Sequence, residues 1–315
     1  MILVTGSAGH LGEALMRTLR AAGRAARGID IKASPFTDVV GSITDRAFIA
    51  RCMSGVTAVI HAATLHKPHV ATHSQQDFVD VNVTGTLTLL EAAVAARAQS
   101  FVFTSTTSAF GSALTPLPGK PAAWITEDVL PVPKNIYGVT KLAAEALCEL
   151  TARRDGLPVV ILRTSRFFPE DDDNAAVATA YDIANVQANE LLYRRVDIAD
   201  VVSAHLLAVD RAKSIGFGKA IISATTPFTP DDLAELRRDA AAVVRRVYPD
   251  AQALYAAKGW RLFDELDRVY VNTKAREMLG WEPVYGFRHV LDCLHAGRDF
   301  PSDLAVAVGS KGYHG

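Results

Sequence analysis

Tyr137 and Lys141, in the run Tyr-Gly-Val-Thr-Lys, stand four residues apart and so project from one face of a helix about a turn apart. There a Lys ammonium can depress the Tyr pKa. A free phenol titrates near ~10 and is a poor base at neutral pH, whereas a neighbouring positive charge favours the phenolate. The chemistry on offer is removal of a proton from an alcohol. Tyr and Lys at this spacing also occur as ordinary solvent-facing residues, so the pair takes its meaning from the rest of the chain.

The first stretch, Ile2-Leu3-Val4-Thr5-Gly6-Ser7-Ala8-Gly9-His10-Leu11-Gly12, supplies that context. An apolar run breaks into Gly-x-x-Gly-x-x-Gly and continues with helical periodicity through Leu15, Leu19 and Ala22, which reads as strand, tight turn and helix. Glycines at 6, 9 and 12 permit close approach, so a pyrophosphate can sit on the amides of His10, Leu11 and Gly12 at the helix start. Eighteen residues beyond Gly12, Asp30 ends the stretch Gly28-Ile29-Asp30. An acid there accepts from an adenine-ribose diol and repels a 2′-phosphate, which favours NAD over NADP, with Arg27 and Lys32 near enough to soften the preference.

These groups need elements to hold them. Expected strands are 1–5, 26–31, 37–40, 57–61, 100–105 and 158–163, with helices near 10–22, 76–97 and 137–154. That alternation predicts an α/β fold: a doubly wound parallel sheet of the Rossmann kind, with the site at the strand C-terminal edge. A helix from about 195 to 212 and a strand at Ala220-Ile221-Ile222-Ser223 are expected to return to the sheet. The dinucleotide-binding domain is therefore 1–165 with 195–226, and 166–194 with 227–315 form a smaller substrate lobe. Prolines 116, 118, 121, 131 and 133 mark a long loop that can cover the site.

The 315 residues, 49% of them hydrophobic, suffice for one large core or two lobes, and a net charge of −1 gives no general attraction to nucleic acid or anionic membrane. Cys52, Cys148 and Cys293 lack metal or redox spacing and read as reduced thiols. A glycine turn starting at residue 6 leaves no room for a signal peptide, and no run of about 18 apolar residues is evident, so a cytoplasmic protein is expected.

The motifs follow one another in an order that resembles the extended short-chain dehydrogenase/reductase superfamily, specifically the NAD-dependent epimerase/dehydratase group that includes UDP-galactose 4-epimerase. Its marks here are Thr5-Gly6-x-x-Gly9-x-x-Gly12, Val59-Ile60-His61-Ala62-Ala63, Asn82-Val83-Thr84-Gly85-Thr86, the segment Phe103 to Gly111, Tyr137-x-x-x-Lys141, Leu162-Arg163 and Leu279-Gly280-Trp281. The resemblance implies NAD as cofactor, Tyr137 as general acid or base, Lys141 bonded to the nicotinamide ribose and Thr106 as the hydroxyl that holds the reacting oxygen. Ser105 and Thr107 flank Thr106 and can share its contacts with cofactor or substrate. It also implies that Ala62 and Ala63 line the cofactor and that Asn82 ties its helix to backbone nearby.

Three departures narrow the function. Many relatives have Gly-Asp where this chain has Gly41-Ser42-Ile43, so Ser42 and the Ile43 amide are left to meet adenine. The Asp-Glu pair of sugar 4,6-dehydratases is replaced by Thr107-Ser108, which argues against dehydration. After Leu162-Arg163, an Asn usual in sugar-nucleotide epimerases gives way to Arg166, which suggests an anionic substrate group, and Arg261 lies near where relatives place a diphosphate-binding Arg. His61, His66, His69 and His73 read as structural or substrate-loop residues rather than a metal set, and the run from Glu170 to Asn174 as a solvated loop. The expected activity is that of a sugar or nucleotide-sugar epimerase. The alternatives are a dehydrogenase with net hydride transfer on a sugar, uronate or hydroxy acid, and a non-catalytic dinucleotide-sensing protein. Apolar residues on the helices after Asn82 (Val83, Leu87, Leu89, Leu90) and after Tyr137 (Val139, Leu142, Leu147, Leu150) predict a homodimer.

Overall fold

The computed structural model describes residues 1–170 and 179–311. Its strands are β1 (Ile2–Thr5), β2 (Ala26–Asp30), β3 (Val39–Val40), β4 (Ala58–His61), β5 (Ser100–Thr106), β6 (Ala123–Ile125), β7 (Val159–Thr164), β8 (Phe217–Ile222) and β9 (Arg268–Tyr270). Helices are α1 (His10–Ala21), α2 (Arg46–Cys52), α3 (Gln75–Phe78), α4 (Gly85–Ala95), α5 (Ile136–Asp155), α6 (Ile183–Glu190), α7 (Ile198–Ile215), α8 (Leu233–Val247), α9 (Ala251–Lys258), α10 (Thr273–Leu279), α11 (Phe287–His295) and α12 (Asp303–Val308).

Seven strands form one parallel sheet in the order β3-β2-β1-β4-β5-β7-β8. Its central strands are continuous apolar runs, such as Val159-Val160-Ile161-Leu162, because helices cover both faces. Alternate residues therefore feed two cores. Val4, Ile60, Val102 and Leu162 meet Leu15 and Leu19 of α1 and Val201 of α7 on one face, and Leu3, Val59, Phe101 and Ile161 meet Ile49, Leu89, Leu90 and Cys148 on the other. Each such fully buried Val, Leu or Ile contributes about 1.5–3 kcal/mol. A third core, with Leu236, Val243, Tyr255 and Phe287, belongs to the C-terminal helices.

The helix that carries Tyr137 and Lys141 is well delimited. Asn135 caps α5 by accepting from the Gly138 amide at 3.1 Å, and Gly156 ends it in the left-handed region at φ 69°. The stretch from Gln75 to Ala95 is helical throughout and passes through a π-helical segment, Val79–Thr84, that contains Asn82.

Two expectations change. The proline-marked segment is not a free cover: β6 pairs in parallel with β9, Glu127 Oε1 accepts from the Ile221 amide at 2.7 Å, and Ala122 joins the C-terminal core. Gln75–Ala95 is, by length and composition, apolar enough to cross a membrane, although no such run was evident from the sequence; it packs against α2, α5 and β4. Residues 171–174 of the acidic run lie outside the described residues.

Candidate active site

The glycine turn folds tightly onto the strand beside it. The Gly6 amide bonds the Ile29 carbonyl at 2.9 Å and the Gly9 amide bonds the Gly6 carbonyl at 3.0 Å. Gly6 has φ +75°, and a Cβ there would lie 2.8 Å from the Ala63 nitrogen; one on Gly12 would lie 1.9 Å from the Gly6 oxygen. Both positions exclude a side chain. The turn is thus pressed against Ala62 and Ala63, with the Ala63 amide donating to Thr5 Oγ1 at 3.1 Å.

At the end of β2, Asp30 Oδ2 accepts from the Ala8 amide at 3.0 Å and Oδ1 from the Lys32 amide at 2.9 Å, which places the carboxylate beside the turn. Arg27 does not oppose it as expected: its guanidinium donates to the carbonyls of Cys52 and Ser54. Ser42 caps its own turn, with Oγ 2.8 Å from Thr44 Oγ1, and Ile43 is buried. Leu11 is a core residue, and the His10 ring is taken up elsewhere: Nε2 lies 3.1 Å from Glu170 and accepts from the Lys311 amide at 3.0 Å. What α1 presents at the turn is therefore its backbone start at 10–12, which no side chain caps, rather than these side chains.

A buried hydrogen-bond chain joins the turn to α5. Thr5 Oγ1 meets His61 Nδ1 at 2.8 Å, His61 Nε2 meets Thr86 Oγ1 at 3.0 Å, and Thr86 Oγ1 donates to the Asn82 carbonyl at 2.6 Å. The Asn82 side chain accepts from the Leu65 amide at 2.8 Å and donates to the Leu65 carbonyl at 2.9 Å and to Thr140 Oγ1 at 3.1 Å. Thr140 stands between Tyr137 and Lys141, so the backbone after β4 and α5 share one anchor. Burial and the Lys141 charge keep His61 neutral.

Thr106 is the neighbour that favours the Tyr137 phenolate, and its Oγ1 accepts from the Ser108 amide at 3.0 Å. Burial nevertheless pushes the phenol up to about 12, with Thr106 opposing. This corrects the expectation that Lys141 depresses it. The Lys141 ammonium is turned to the Thr104 carbonyl at 2.7 Å and lies 4.0 Å over the Phe103 ring, and its own pKa falls to about 7 through burial. Ser105 departs too: β5 alternation sends its hydroxyl to Glu145 Oε1 at 2.6 Å, away from any shared substrate contact. Thr107 Oγ1 reaches the Thr164 carbonyl at 3.4 Å.

Past β7, Arg166 approaches Glu190 at 3.9 Å and donates to the Glu170 carbonyl at 2.8 Å. Glu190, wholly buried at the end of α6, also takes Arg194 and Arg195 at 2.7 Å each; burial opposes its charge, and Arg195, Arg194 and Arg166 bring its carboxyl down to about 2. Arg261 is exposed, lies 4.3 Å over the Tyr181 ring and donates to the Ala180 carbonyl. His66 stacks on Phe168, and burial with the His69, His10 and Lys141 charges lowers it to about 4. Among the described residues, no group of three His, Cys, Asp or Glu side chains is disposed to hold a metal.

Sequence reasoning missed Glu145, Thr140 and the Glu190 cluster. For Glu145 a signal existed: it repeats the four-residue step from Tyr137 to Lys141.

The residues present fit a dinucleotide: a turn that Gly6 and Gly12 let close tightly on itself and on Ala62 and Ala63, a start of α1 with no side-chain cap on its amides, and a carboxylate at the end of β2 for the ribose diol. Residues 2–222 match the NAD dependent epimerase/dehydratase family. UDP-glucose 4-epimerase of Rhizobium meliloti is 28% identical over 317 residues, covering 90% of this chain and 92% of that protein. An uncharacterized Sinorhizobium fredii protein, y4nG, is 33% identical over 167 residues, which is 51% of this chain but only 39% of that one. A short-chain dehydrogenase/reductase superfamily protein of Agrobacterium tumefaciens, solved with bound NAD, superposes with a TM-score of 0.67 at 27% identity over 93% of this chain and 95% of its own. Motif order, fold and cradle thus agree with these matches, and the chain belongs to the NAD-dependent epimerase/dehydratase family.

Proposed function

We propose that this protein is an NAD-dependent enzyme that acts on a hydroxyl or carbonyl of a sugar or nucleotide sugar, by epimerase-type chemistry. The observation that carries the reading is the buried pair Tyr137 and Lys141 one helical turn apart on α5, with the Lys141 ammonium 2.7 Å from the Thr104 carbonyl of β5, the strand that ends in Thr106. NAD, when bound, supplies a hydride acceptor and donor. Thr106 then holds the reacting oxygen and Tyr137 exchanges its proton. With its phenol near 12, Tyr137 stands ready as an acid. To serve as a base it needs the Lys141 ammonium to leave the Thr104 carbonyl and come nearer the phenol. A group that first takes and then returns the same proton suits an epimerase.

A second reading, net dehydrogenation of an anionic sugar or uronate, draws support from Arg166, Arg194 and Arg195 converging where β7 ends. Extraction of bound dinucleotide, followed by a screen of nucleotide sugars and uronates, separates the two: isomerised product without NADH supports epimerisation, and NADH accumulating with product supports dehydrogenation. A protein that binds no dinucleotide and converts no sugar overturns both.

The proposal includes a homodimer through α4 and α5. Leu89 and Leu90 are consumed by the sheet, but Val139 and Leu150 remain 48% and 42% exposed, with Val79 at the start of the π-helical turn also exposed. Sedimentation at micromolar concentration should give twice the 33.8 kDa chain mass; the single mass would remove the dimer.

A further inference from the structure

Tyr137, Lys141 and Glu145 form one stripe on α5, each four residues from the last. The third member is a buried carboxylate that reaches from the helix onto the sheet. Its Oε1 accepts from Ser105 Oγ at 2.6 Å and Arg163 Nε at 2.9 Å, and its Oε2 from Arg163 Nη2 at 2.8 Å and Lys219 Nζ at 2.9 Å. Ser105 and Arg163 are register partners on β5 and β7, and Lys219 lies on β8, so one side chain grips three adjacent strands. Ser105 immediately precedes Thr106. The carboxylate therefore locks the helix that carries Tyr137 and Lys141 to the strand that carries Thr106.

We propose that Glu145 is a positioning residue of the site, fixing α5 against β5 and supplying the countercharge that faces Lys141 from the next turn of the helix. The proposal rests on the reading of Lys141 as part of the site.

Other groups around Lys141 do not fill that role. On its own helix, the Cys148 thiol is pushed up by burial and stays neutral, and the Tyr137 phenol is likewise protonated. From β4 and the segment after it, His61 and His66 are both lowered by burial and carry no charge near neutrality. β5 offers the Thr104 carbonyl and the Phe103 ring. Glu145 alone among these is an anion: burial opposes its charge, but the Arg163 guanidinium, Lys219 and the Ser105 hydroxyl bring the carboxyl below its usual range. Burial works against the Lys141 ammonium; Cys148 and Glu145 are the two groups placed to resist it, and with the thiol held neutral by burial the charge comes from Glu145.

The direct test is the protonation midpoint of Lys141, read from its 13Cε resonance in lysine-labelled protein and assigned with Lys141→Arg. Wild type should titrate near about 7. Glu145→Gln removes an anion that favours the ammonium, so the midpoint should drop by about one pH unit or more. Glu145→Asp keeps the charge but draws it back by a methylene and should fall between the two. Ser105→Ala loosens the brace without removing charge and should stay within about 0.3 unit of wild type. A folded Glu145→Gln protein with an unmoved midpoint, or a Ser105→Ala protein that falls as far, overturns the proposal. If Glu145→Gln does not fold, Glu145→Asp decides: a drop of about half a unit supports the proposal and no drop overturns it. No sugar or turnover enters these readings, so a protein without sugar activity would refute the catalytic reading and leave this result intact.

Discussion

Glu145 and Glu190 are both buried carboxylates that gather cations, yet they sit in different kinds of structure. Every partner of Glu145 lies on a strand of the main sheet, where register dictates its place. Glu190 instead draws Arg194 and Arg195 from the turn after α6 and Arg166 from the segment beyond β7, so it joins that segment to the end of α6. Arg166 and Arg194 keep about a fifth of their side chains exposed (22% each), whereas Arg163 is almost wholly covered (3%). Under the proposed function the contrast assigns two tasks: the regular cluster to holding Tyr137 and Lys141 in place, and the irregular one to the wall that a substrate would meet.

Removing the carboxylate from the second cluster should have the larger effect on stability. Glu190→Gln leaves the buried Arg195 guanidinium, and the half-buried Arg166 and Arg194, without their anion and should cost about 3–5 kcal/mol, read from urea unfolding. A loss below about 1 kcal/mol would mean that the cluster is well solvated and the contrast with Glu145 false.

Acid titration sharpens the same comparison. His205, buried on α7, accepts from Thr104 Oγ1 at 2.9 Å and donates to the Val201 carbonyl at 2.7 Å, and burial lowers its pKa to about 4. A base with a depressed folded pKa favours the neutral folded form, so its contribution is complete above the unfolded value near ~6.5 and is lost as pH falls toward about 4. His66 acts in the same window. The Glu190 contribution is lost later, between an unfolded value near ~4.3 and its folded value of about 2. Stability should therefore fall in two stages on acidification, and His205→Gln should flatten the first. A single loss confined below pH ~4.3 would show that the histidines are not buried neutral.

The smallest expected effect is on selectivity. Arg166→Ala keeps the Glu190 pairs with Arg194 and Arg195, so stability should change by about 1 kcal/mol or less. The KM for a carboxylate-bearing sugar should rise about tenfold with kcat nearly unchanged, as expected for uniform binding. An equal change for a neutral sugar would remove the substrate-wall role.

What could be read from the sequence follows from what is local. The glycine turn, the apolar strands and the capped helix of Tyr137 each have a signature within a few residues, so the parallel sheet and its edge were legible. The pairing of β6 with β9 joins segments far apart in the chain, and nothing local in the proline-marked stretch announces it. Orientation was equally hidden. Ser105 and Thr106 look interchangeable as neighbouring hydroxyls, but strand alternation gives one to Glu145 and leaves the other to Tyr137. The Lys141 charge could be placed on the correct helix face, though not its preference for the Thr104 carbonyl, which depends on the strand beneath it.

The central claim is that Tyr137 carries the proton in hydride chemistry at this edge. Its most direct test is Tyr137→Phe, assayed on whichever sugar the wild type converts, with NAD affinity measured alongside. The ring stays packed and the oxygen is lost, so turnover should fall by about 100-fold or more while the NAD dissociation constant stays within about twofold. Turnover within a few-fold of wild type, at unchanged NAD affinity, would contradict the account.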